Sequence, residues 1–418
     1  MRFCRHTVLA LMLLLLTSCG IQRFSQRSVL PPRDTSLYAS ILPAYRPLSA
    51  LLTEDTGLPP REGNDIRLFP DGEERLRSTL QDWNGARLSL CLEKYRLQRG
   101  GLMDTLFCLM ETKARSGVDV RLLVERHAQL PIDRVNYRKL RRSGVDVAEY
   151  HPLGHFASNL INLNRRDHRK IEIIDGGVAY VGGRNISDRN FLRWKDLDIR
   201  VSGPLVQDIM TVFMKNWVKA GGRDDPVQTL EPPVLPEGKT AQVLFDGPKD
   251  RRWTIRDLHE WTLANTQTYF YCSTPYFSPP LSTIKALCDA ARRGVDVRIL
   301  LPEDCDLPFM NRVAESYFRQ LLSSGVRIWM CPGMHHAKRF FADDYLSSVG
   351  SANLDQRSFF TNYEDDVIIY DAETASEGRR IFLEELAQSH EVTSETMKGW
   401  SVFRRLAGGF LRIFARQL

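Results

Sequence analysis

The chain has 418 residues, of which 43% are hydrophobic and 26% are charged. This balance is typical of globular proteins and excludes a wholly disordered chain, a collagen-like repeat and a polytopic membrane protein. The 57 basic and 51 acidic side chains leave a net charge of +6, which is too small to indicate nucleic-acid binding by itself. None of the eight cysteines stands at a zinc-ligand spacing, so we predict no structural zinc site.

The first residues have the order of an export signal. A short basic region precedes an apolar run over residues 7–16, which is too short to span a bilayer. Small residues then lead to Cys19, an order that resembles the lipobox at which bacterial lipoproteins are cleaved and lipidated. We therefore predict a signal peptide over residues 1–18 and a lipid anchor on Cys19. Gly20 favours the periplasmic face of an outer membrane over an inner membrane. The alternative is an ordinary signal peptide with an unmodified cysteine.

Proline-rich segments predict the boundaries of the folded parts. Residues 19–62 carry six prolines, and we interpret them as a tether. Residues 224–238 carry four more and show no apolar periodicity, so we place a linker there. These segments leave residues 63–223 and 239–397 as two domains, followed by a tail over residues 398–418.

The two predicted domains repeat the same phrases. ARSGVDVRLL at residues 114–123 recurs as ARRGVDVRIL at 291–300, and LFPDG at 68–72 recurs as LFDG at 244–247. In each GVDV phrase the glycine follows an amphipathic stretch and precedes a β-branched run. This order indicates a helix that ends at the glycine and a buried strand after it. The repeated unit predicts two α/β halves with a mostly parallel or mixed sheet.

A polar motif also occurs twice with identical spacing. In each half a His is followed by Lys, then Asp, then small residues and Asn, and 28 residues after the His comes a carboxylate. The motif residues are His168, Lys170, Asp175, Asn185 and Asp196 in the first half, and His336, Lys338, Asp343, Asn353 and Glu364 in the second. A single HxK is often incidental, but two full blocks at matching places in a duplicated chain indicate a functional site.

The residue types in this motif suit an anionic phosphoryl group. Side chains two residues apart on a strand face the same side, so each imidazole and ammonium would meet one ligand. The small residues after the Asp would let backbone approach that ligand closely, and the Asn adds an amide donor. Two such sets facing each other would surround one tetrahedral anion. The motif therefore predicts no metal and no cofactor, and activity that persists in excess EDTA.

The two blocks resemble the HKD motifs of the phospholipase D superfamily, and the resemblance covers residues 64–418. The phrases STPYFSP at 273–279 and GSANLDQRS at 350–358 are most similar to bacterial cardiolipin synthases. The resemblance implies two similar α/β halves, each a mixed sheet flanked by helices, related by pseudo-twofold symmetry with the active site between them. One departure bears on the acceptor alcohol: LCLEKYRLQRGG at 90–101 has arginines where those synthases carry an aromatic residue and an Asp.

The resemblance also implies a two-step mechanism. One His attacks phosphorus and forms a phosphohistidine, and the other protonates the leaving alkoxide and then deprotonates the incoming alcohol. Following the family, we assign His168 as nucleophile and His336 as acid/base, although the symmetry of the sequence leaves the reverse assignment open. The supporting roles are phosphoryl-oxygen binding by Lys170, Lys338, Asn185 and Asn353, histidine orientation by Asp196 and Glu364, and bracing of the turn by Asp175 and Asp343.

Two further segments bear on lipid binding. Residues 398–418 contain one Lys, four Arg and no acidic residue, with apolar residues at helical spacing. They predict a basic amphipathic helix suited to an anionic lipid surface, and the alternative is a terminal helix that packs on the domain. The first half is also lengthened at residues 153–167, where apolar residues stand beside Arg165 and Arg166. This insert would suit acyl chains and phosphate, or it is filler.

We therefore predict an exported, lipid-anchored phosphatidyltransferase that joins two phosphatidylglycerols into cardiolipin. The alternatives are a phospholipase D that uses water, a nuclease or phosphodiesterase, and a non-enzymatic lipid-binding scaffold. The anchor and the near-neutral body disfavour the nuclease, and the intact motif in both halves disfavours the scaffold. The expected partners are phosphatidylglycerol and a membrane surface, with no nucleic acid. The sequence predicts no oligomeric state.

Overall fold

The computed structural model describes residues 38–128, 137–150, 165–247 and 252–412. The predicted signal peptide, Cys19, the first part of the tether, most of the insert and the last six residues of the tail lie outside these ranges. All described residues belong to one compact unit.

Secondary structure alternates between strands and helices along both halves. The strands are β1 (Arg61–Phe69), β2 (Ser89–Lys94), β3 (Asp119–Glu125), β4 (Asp146–Tyr150), β5 (Lys170–Ile174), β6 (Val178–Gly182), β7 (Asp198–Ser202), β8 (Lys239–Asp246), β9 (Tyr269–Ser273), β10 (Phe277–Ser278), β11 (Asp296–Pro302), β12 (Arg327–Cys331), β13 (Arg339–Ala342), β14 (Leu346–Gly350), β15 (Leu354–Asp355), β16 (Glu364–Tyr370) and β17 (His390–Val392). The α-helices are α1 (Arg46–Thr56), α2 (Gly72–Gly85), α3 (Gly101–Arg115), α4 (Tyr137–Arg142), α5 (Asp188–Leu192), α6 (Leu205–Lys219), α7 (Thr254–Asn265), α8 (Leu281–Arg292), α9 (Pro308–Ser323), α10 (Gln356–Phe360), α11 (Ala372–Ala387), α12 (Ser394–Lys398) and α13 (Val402–Arg412).

The two halves share one mixed sheet of fifteen strands within the described ranges. Its order is β17-β12-β11-β9-β13-β14-β16-β8-β1-β7-β6-β5-β2-β3-β4. In the first half β2 pairs parallel with β3 and antiparallel with β5, and in the second β9 pairs parallel with β11 and antiparallel with β13. The antiparallel pair of β1 and β8 joins the halves at the centre. The predicted fold class, two similar α/β halves with a mixed sheet flanked by helices, is therefore confirmed.

The repeated GVDV phrases end helices and begin strands. Gly117 and Gly294 have backbone φ angles of +91° and +96°, a left-handed conformation that glycine adopts without steric cost. They follow the ends of α3 and α8, and β3 and β11 begin two residues later. Because the same turn occurs in both halves, the strands that follow enter the sheet at equivalent places.

The folded part of the chain begins inside the predicted tether, residues 19–62. Helix α1 lies within residues 19–62 and buries Leu48 and Leu52, and Ser49 donates a 2.9 Å hydrogen bond to Gln242 of β8. Strand β1 also begins inside the predicted tether. The prediction was wrong for residues 46–62 because proline also occurs at helix starts. Pro47 stands in the first turn of α1, where its missing N–H costs no helical hydrogen bond.

The described part of the basic tail packs on the second half. Arg404 of α13 donates hydrogen bonds of 2.9 and 2.6 Å to the carboxylate of Glu315 on α9, and its guanidinium lies 4.0 Å from the ring of Trp400. Gly408 of α13 is buried against α9. For residues 402–412 the structure therefore shows a helix that packs on the domain, and binding of the tail to a lipid surface stays a prediction. Among the described helices, none has the length and apolar character needed to cross a bilayer.

Candidate active site

The strands β5 and β13 carry the two motifs in the same orientation. Lys170 opens β5 and Lys338 immediately precedes β13, so both histidines lie just before these strands. Asp175 and Asp343 follow the other ends of the strands, each with φ of 51°. Their carboxylates accept hydrogen bonds from the backbone N–H groups of Arg87, Leu88 and Ser89, and of Gln267, Thr268 and Tyr269, respectively. The two aspartates therefore fix each hairpin to its neighbouring strand, a strand length away from the histidines.

Each histidine is paired with the carboxylate of the opposite half. Nδ1 of His168 lies 2.8 Å from Oε2 of Glu364, and Nδ1 of His336 lies 2.8 Å from Oδ2 of Asp196. The spacing of 28 residues identified the right carboxylates, but no sequence signal indicated that they would be exchanged between the halves. The site is therefore complete only when both halves are in place.

Backbone contacts between the halves explain this exchange. The N–H of His168 donates to the carbonyl of Tyr363 at 2.9 Å, and the N–H of His336 donates to the carbonyl of Lys195 at 2.6 Å. Tyr363 and Lys195 immediately precede Glu364 and Asp196 in the chain. The segment before each carboxylate thus forms a short bridge with the segment that carries the opposite histidine.

The carboxylates are held as anions that fix the histidine tautomer. The Glu364 carboxylate also accepts hydrogen bonds from the side chains of Ser351 at 2.6 Å, Ser358 at 2.7 Å and Asn362 at 3.1 Å. Although burial opposes ionisation, His168, Lys170 and Ser351 lower the pKa of Glu364 to about 2. The Asp196 pKa is also held well below its ordinary value, by His336 and then Lys338, against burial. A carboxylate acceptor at Nδ1 leaves Nε2 of each ring as the reactive nitrogen.

The histidines and lysines of the motif are buried together. Burial is the main cause that lowers the pKa of both His168 and His336 to about 4, so the imidazoles are neutral at neutral pH. Burial likewise lowers the pKa of Lys170 to about 7 and that of Lys338 to about 8. Nζ of Lys338 lies 3.1 Å from Nε2 of His336, and Nζ of Lys170 donates to the carbonyl of His168. An anion among these groups would favour their protonated forms.

The two motif asparagines differ in their contacts. Oδ1 of Asn185 accepts a hydrogen bond from the backbone N–H of Arg96 at 3.2 Å, which leaves its NH₂ group as a donor. The backbone N–H of Asn353 donates to Ser358 at 3.0 Å, and its Oδ1 is buried without a hydrogen-bond partner among the described residues. Binding of phosphoryl oxygens by these two amides stays a prediction.

The small residues after Asp175 and Asp343 make room for buried carboxylates. A Cβ on Gly182 would lie 2.0 Å from Oδ1 of Asp198, and a Cβ on Gly350 would lie 2.0 Å from Oδ1 of Asp366. The motif alone suggests that these glycines allow close approach of a ligand. In the structure they pack closely against β7 and β16, the strands that carry Asp198 and Asp366.

Two aromatic side chains that the sequence analysis did not single out contact the histidines. The ring of Tyr95 meets His168 edge-on at 4.8 Å between centroids, and Trp194 lies 5.2 Å from His336. Trp194 immediately precedes Lys195, which pairs with His335, and this pairing brings the Trp194 ring close to His336. The two rings limit the space beside the imidazoles.

The groups that converge on this site are imidazole, ammonium and amide. In the ranges that the structure describes, no three His, Cys, Asp or Glu side chains are grouped as ligands for a metal ion. A set of cationic and amide donors around two neutral nucleophilic nitrogens fits an anion with several oxygens.

Comparisons with known proteins agree with this geometry. The family model described as "Cardiolipin synthase, PLD-like domain" matches residues 86–217 and 261–386, one segment in each half. A cardiolipin synthase of Clostridium perfringens is 30% identical over 364 residues, which cover 84% of this chain and 76% of that protein. A probable cardiolipin synthase of Bacillus subtilis, YwiE, is 30% identical over 84% of this chain and 72% of its own length.

Solved structures show the same fold at lower identity. A phosphatidylserine synthase of Haemophilus influenzae superposes with a TM-score of 0.67 and 13% identity, covering 88% of this chain and 96% of that one. A polyphosphate kinase of Porphyromonas gingivalis superposes with a TM-score of 0.55 and 14% identity, over 84% of this chain and 52% of its own. These structures share the fold, and the two family-model segments together with the curated relatives show that the chain belongs to the cardiolipin synthase family of phospholipase D-like enzymes.

Proposed function

We propose that this enzyme is a membrane-anchored phosphatidyltransferase that joins two phosphatidylglycerols into cardiolipin and releases glycerol. The observation that carries the proposal is the pair of neutral, buried imidazoles, each oriented at Nδ1 by a carboxylate from the opposite half. That pair suits double displacement at a phosphodiester, because one nitrogen can bond to phosphorus while the other moves protons. The names of the curated relatives support a phospholipid as the acceptor in place of water.

In the first step we propose, Nε2 of His168 attacks the phosphorus of phosphatidylglycerol and the bond to the head-group oxygen breaks. His336, protonated in the complex because the phosphodiester anion raises its pKa, gives its proton to that oxygen. Glycerol therefore leaves as a neutral alcohol, and the phosphatidyl group stays on His168.

In the second step, neutral His336 takes the proton of a hydroxyl group on a second phosphatidylglycerol. The freed oxygen attacks the phosphorus and displaces His168, which completes cardiolipin and restores both histidines. We assign the phosphoryl oxygens to Lys170 and Lys338 together with the amides of Asn185 and Asn353. Asp175 and Asp343, whose contacts are with the neighbouring strands, support the hairpins only.

The membrane attachment is proposed from the sequence. Cys19 would carry a lipid at the outer-membrane periplasmic face, with the inner membrane as the alternative site. A lipid anchor suits this substrate because it keeps the enzyme at the surface where its substrate lies.

Lipid mass spectrometry of cells with and without the gene tests the proposal. Deletion should lower cardiolipin and raise phosphatidylglycerol, and restoring the gene with His168→Ala should not reverse the change. If cardiolipin and phosphatidylglycerol stay the same in the deletion strain, the transferase assignment is wrong. A rise in phosphatidylglycerol with unchanged cardiolipin would instead favour hydrolysis.

A further inference from the structure

The pseudo-twofold relation allows the surroundings of the two histidines to be compared residue by residue. Tyr363 donates its backbone N–H to the carbonyl of Arg166, and Lys195 donates to the carbonyl of Met334 in the same way. Arg166 and Met334 therefore occupy equivalent positions two residues before their histidines.

Two more positions are fixed by the same symmetry. The bridge of Leu97 with Ile186 matches the pair of Phe277 with Leu354, so the preceding residues Arg96 and Tyr276 are equivalent. Counting on from the matched motif asparagines, Arg357 of α10 is equivalent to Arg189 of α5. We call Arg96, Arg166 and Arg357 the His168 rim, and Tyr276, Met334 and Arg189 the His336 rim.

The two rims differ in charge. All three residues of the His168 rim are arginines and all are half-buried. In the His336 rim only Arg189 is charged, it is exposed, and its guanidinium lies 5.0 Å from the ring of Trp194. Tyr276 donates a 2.8 Å hydrogen bond to Asp306, which adds a negative charge to that rim. Glu125 accepts a hydrogen bond from the N–H of Asp167, next to Arg166, and offsets one charge of the His168 rim. The His168 rim is therefore still net cationic, and the His336 rim is close to neutral.

The three arginines of the His168 rim lie on segments beside His168. Arg166 precedes His168 by two residues, and Arg96 follows Tyr95 in the chain. Arg357 donates a 3.4 Å hydrogen bond to Asn362, whose amide donates to Glu364, the partner of His168.

Tyr95 packs on His168 with 4.8 Å between ring centroids. Burial and then the negative charge of Glu125 raise the pKa of Tyr95, and the charges of Arg166, Arg357 and Arg96 oppose the rise. Burial and then the charge of Arg357 lower the pKa of Arg166, with Glu125 and Tyr95 opposing them. Arginine charges that act on one another while half-buried favour binding of an anion between them.

We propose that the His168 rim binds the phosphodiester of a second phospholipid, the acceptor, while the donor phosphate lies between the two histidines. The inference rests on the proposed function and adds that the enzyme selects an anionic lipid acceptor over a neutral alcohol. The donor phosphate already has Lys170, Lys338 and two asparagine amides, so three more cations exceed what one monoanion requires. The neutral His336 rim suits the uncharged glycerol that leaves.

The test compares two acceptors for one donor. The full chain in vesicles of phosphatidylglycerol with added 1-butanol can form cardiolipin or phosphatidylbutanol, and mass spectrometry measures their ratio. Arg166→Gln and Arg357→Gln should each lower the ratio of cardiolipin to phosphatidylbutanol by about tenfold or more, the effect of losing one charge-assisted hydrogen bond. Arg357→Lys should recover part of the ratio because it keeps the charge.

Arg189→Gln is the matched control, since it makes the same change at the equivalent place on the other rim. Its product ratio should stay within about twofold of the wild-type value. Thermal unfolding of each variant shows whether the fold is kept. Equal losses of both products in the folded rim variants would overturn the proposal, because the arginines would then serve the donor. A wild-type enzyme that makes neither product would contradict the proposed function together with the rim.

Discussion

At the scale of single residues, the chemistry depends on where each imidazole keeps its proton. Burial lowers the pKa of His168 and His336 to about 4, against 6.5 for a solvated imidazole. Between these pH values the unfolded chain binds more protons than the folded chain. The free energy of unfolding therefore falls as the pH drops from 6.5 toward 4, and the contribution of these two histidines to stability is complete only above pH 6.5.

This account predicts both the charge and the tautomer of the two rings. In the full chain with ¹⁵N-labelled histidine, both rings should be neutral at about pH 5.5 with hydrogen on Nδ1. His168→Asn and His336→Asn assign the two NMR signals, and exposed His390 serves as a reference. A doubly protonated ring at that pH, or hydrogen on Nε2, would contradict the orientation by Glu364 or Asp196.

At the scale of secondary-structure elements, the tail helix α13 depends on one close contact. Gly408 is buried, and a Cβ there would lie 2.4 Å from the backbone oxygen of Arg312 on α9, whereas a Cβ on Gly409 would meet nothing within 4 Å. Gly408→Ala should therefore weaken the docking of α13, and limited proteolysis should cut the tail faster. Gly409→Ala is the matched control, and it should strengthen the helix by roughly 0.5–1 kcal/mol. Equal cleavage of both variants and wild type would show that this contact does not hold the tail.

The repeated halves could be predicted from the sequence, whereas several contacts between segments could not. The GVDV phrases and the two HxK blocks predicted the repeated halves because glycine turns and alternating polar residues are local signals. The exchange of Glu364 and Asp196 between halves is a tertiary contact, and a spacing within one half carries no information about it. Helix α1 was missed because Pro47 marks the start of a helix as readily as a linker. The sequence singled out the segment of Arg96 and Arg166 itself, but their grouping with Arg357 could not be predicted because the three arginines come from separate segments.

At the scale of the whole molecule, the site exists because a single sheet joins both halves. Strands β1 and β8 pair at the centre, and each half supplies the carboxylate that the other half's histidine needs. Ordered assembly of the whole sheet is therefore a condition for activity.

The anchor gives a prediction about the intact protein in cells. Cys19→Ala should prevent lipidation, so the chain should be uncleaved or processed differently and should leave the membrane fraction. Metabolic labelling with a fatty acid and fractionation of the cell measure both effects. Ser18→Ala, which keeps the cysteine and a small residue before it, is the matched control. If Cys19→Ala fractionates and migrates like wild type, the lipobox interpretation is wrong.

The central claim is a covalent phosphohistidine formed by one imidazole and resolved through the other. A phosphodiester with a nitrophenolate leaving group tests it, because that group departs without a proton and the acid becomes dispensable in the first step. We predict that His336→Ala releases nitrophenolate in a burst and accumulates an adduct on His168 that is stable in base and labile in acid. We predict that His168→Ala accumulates none, and the reverse pattern would exchange the two roles. A burst of nitrophenolate without an adduct in either variant would contradict double displacement and indicate direct attack by water or alcohol.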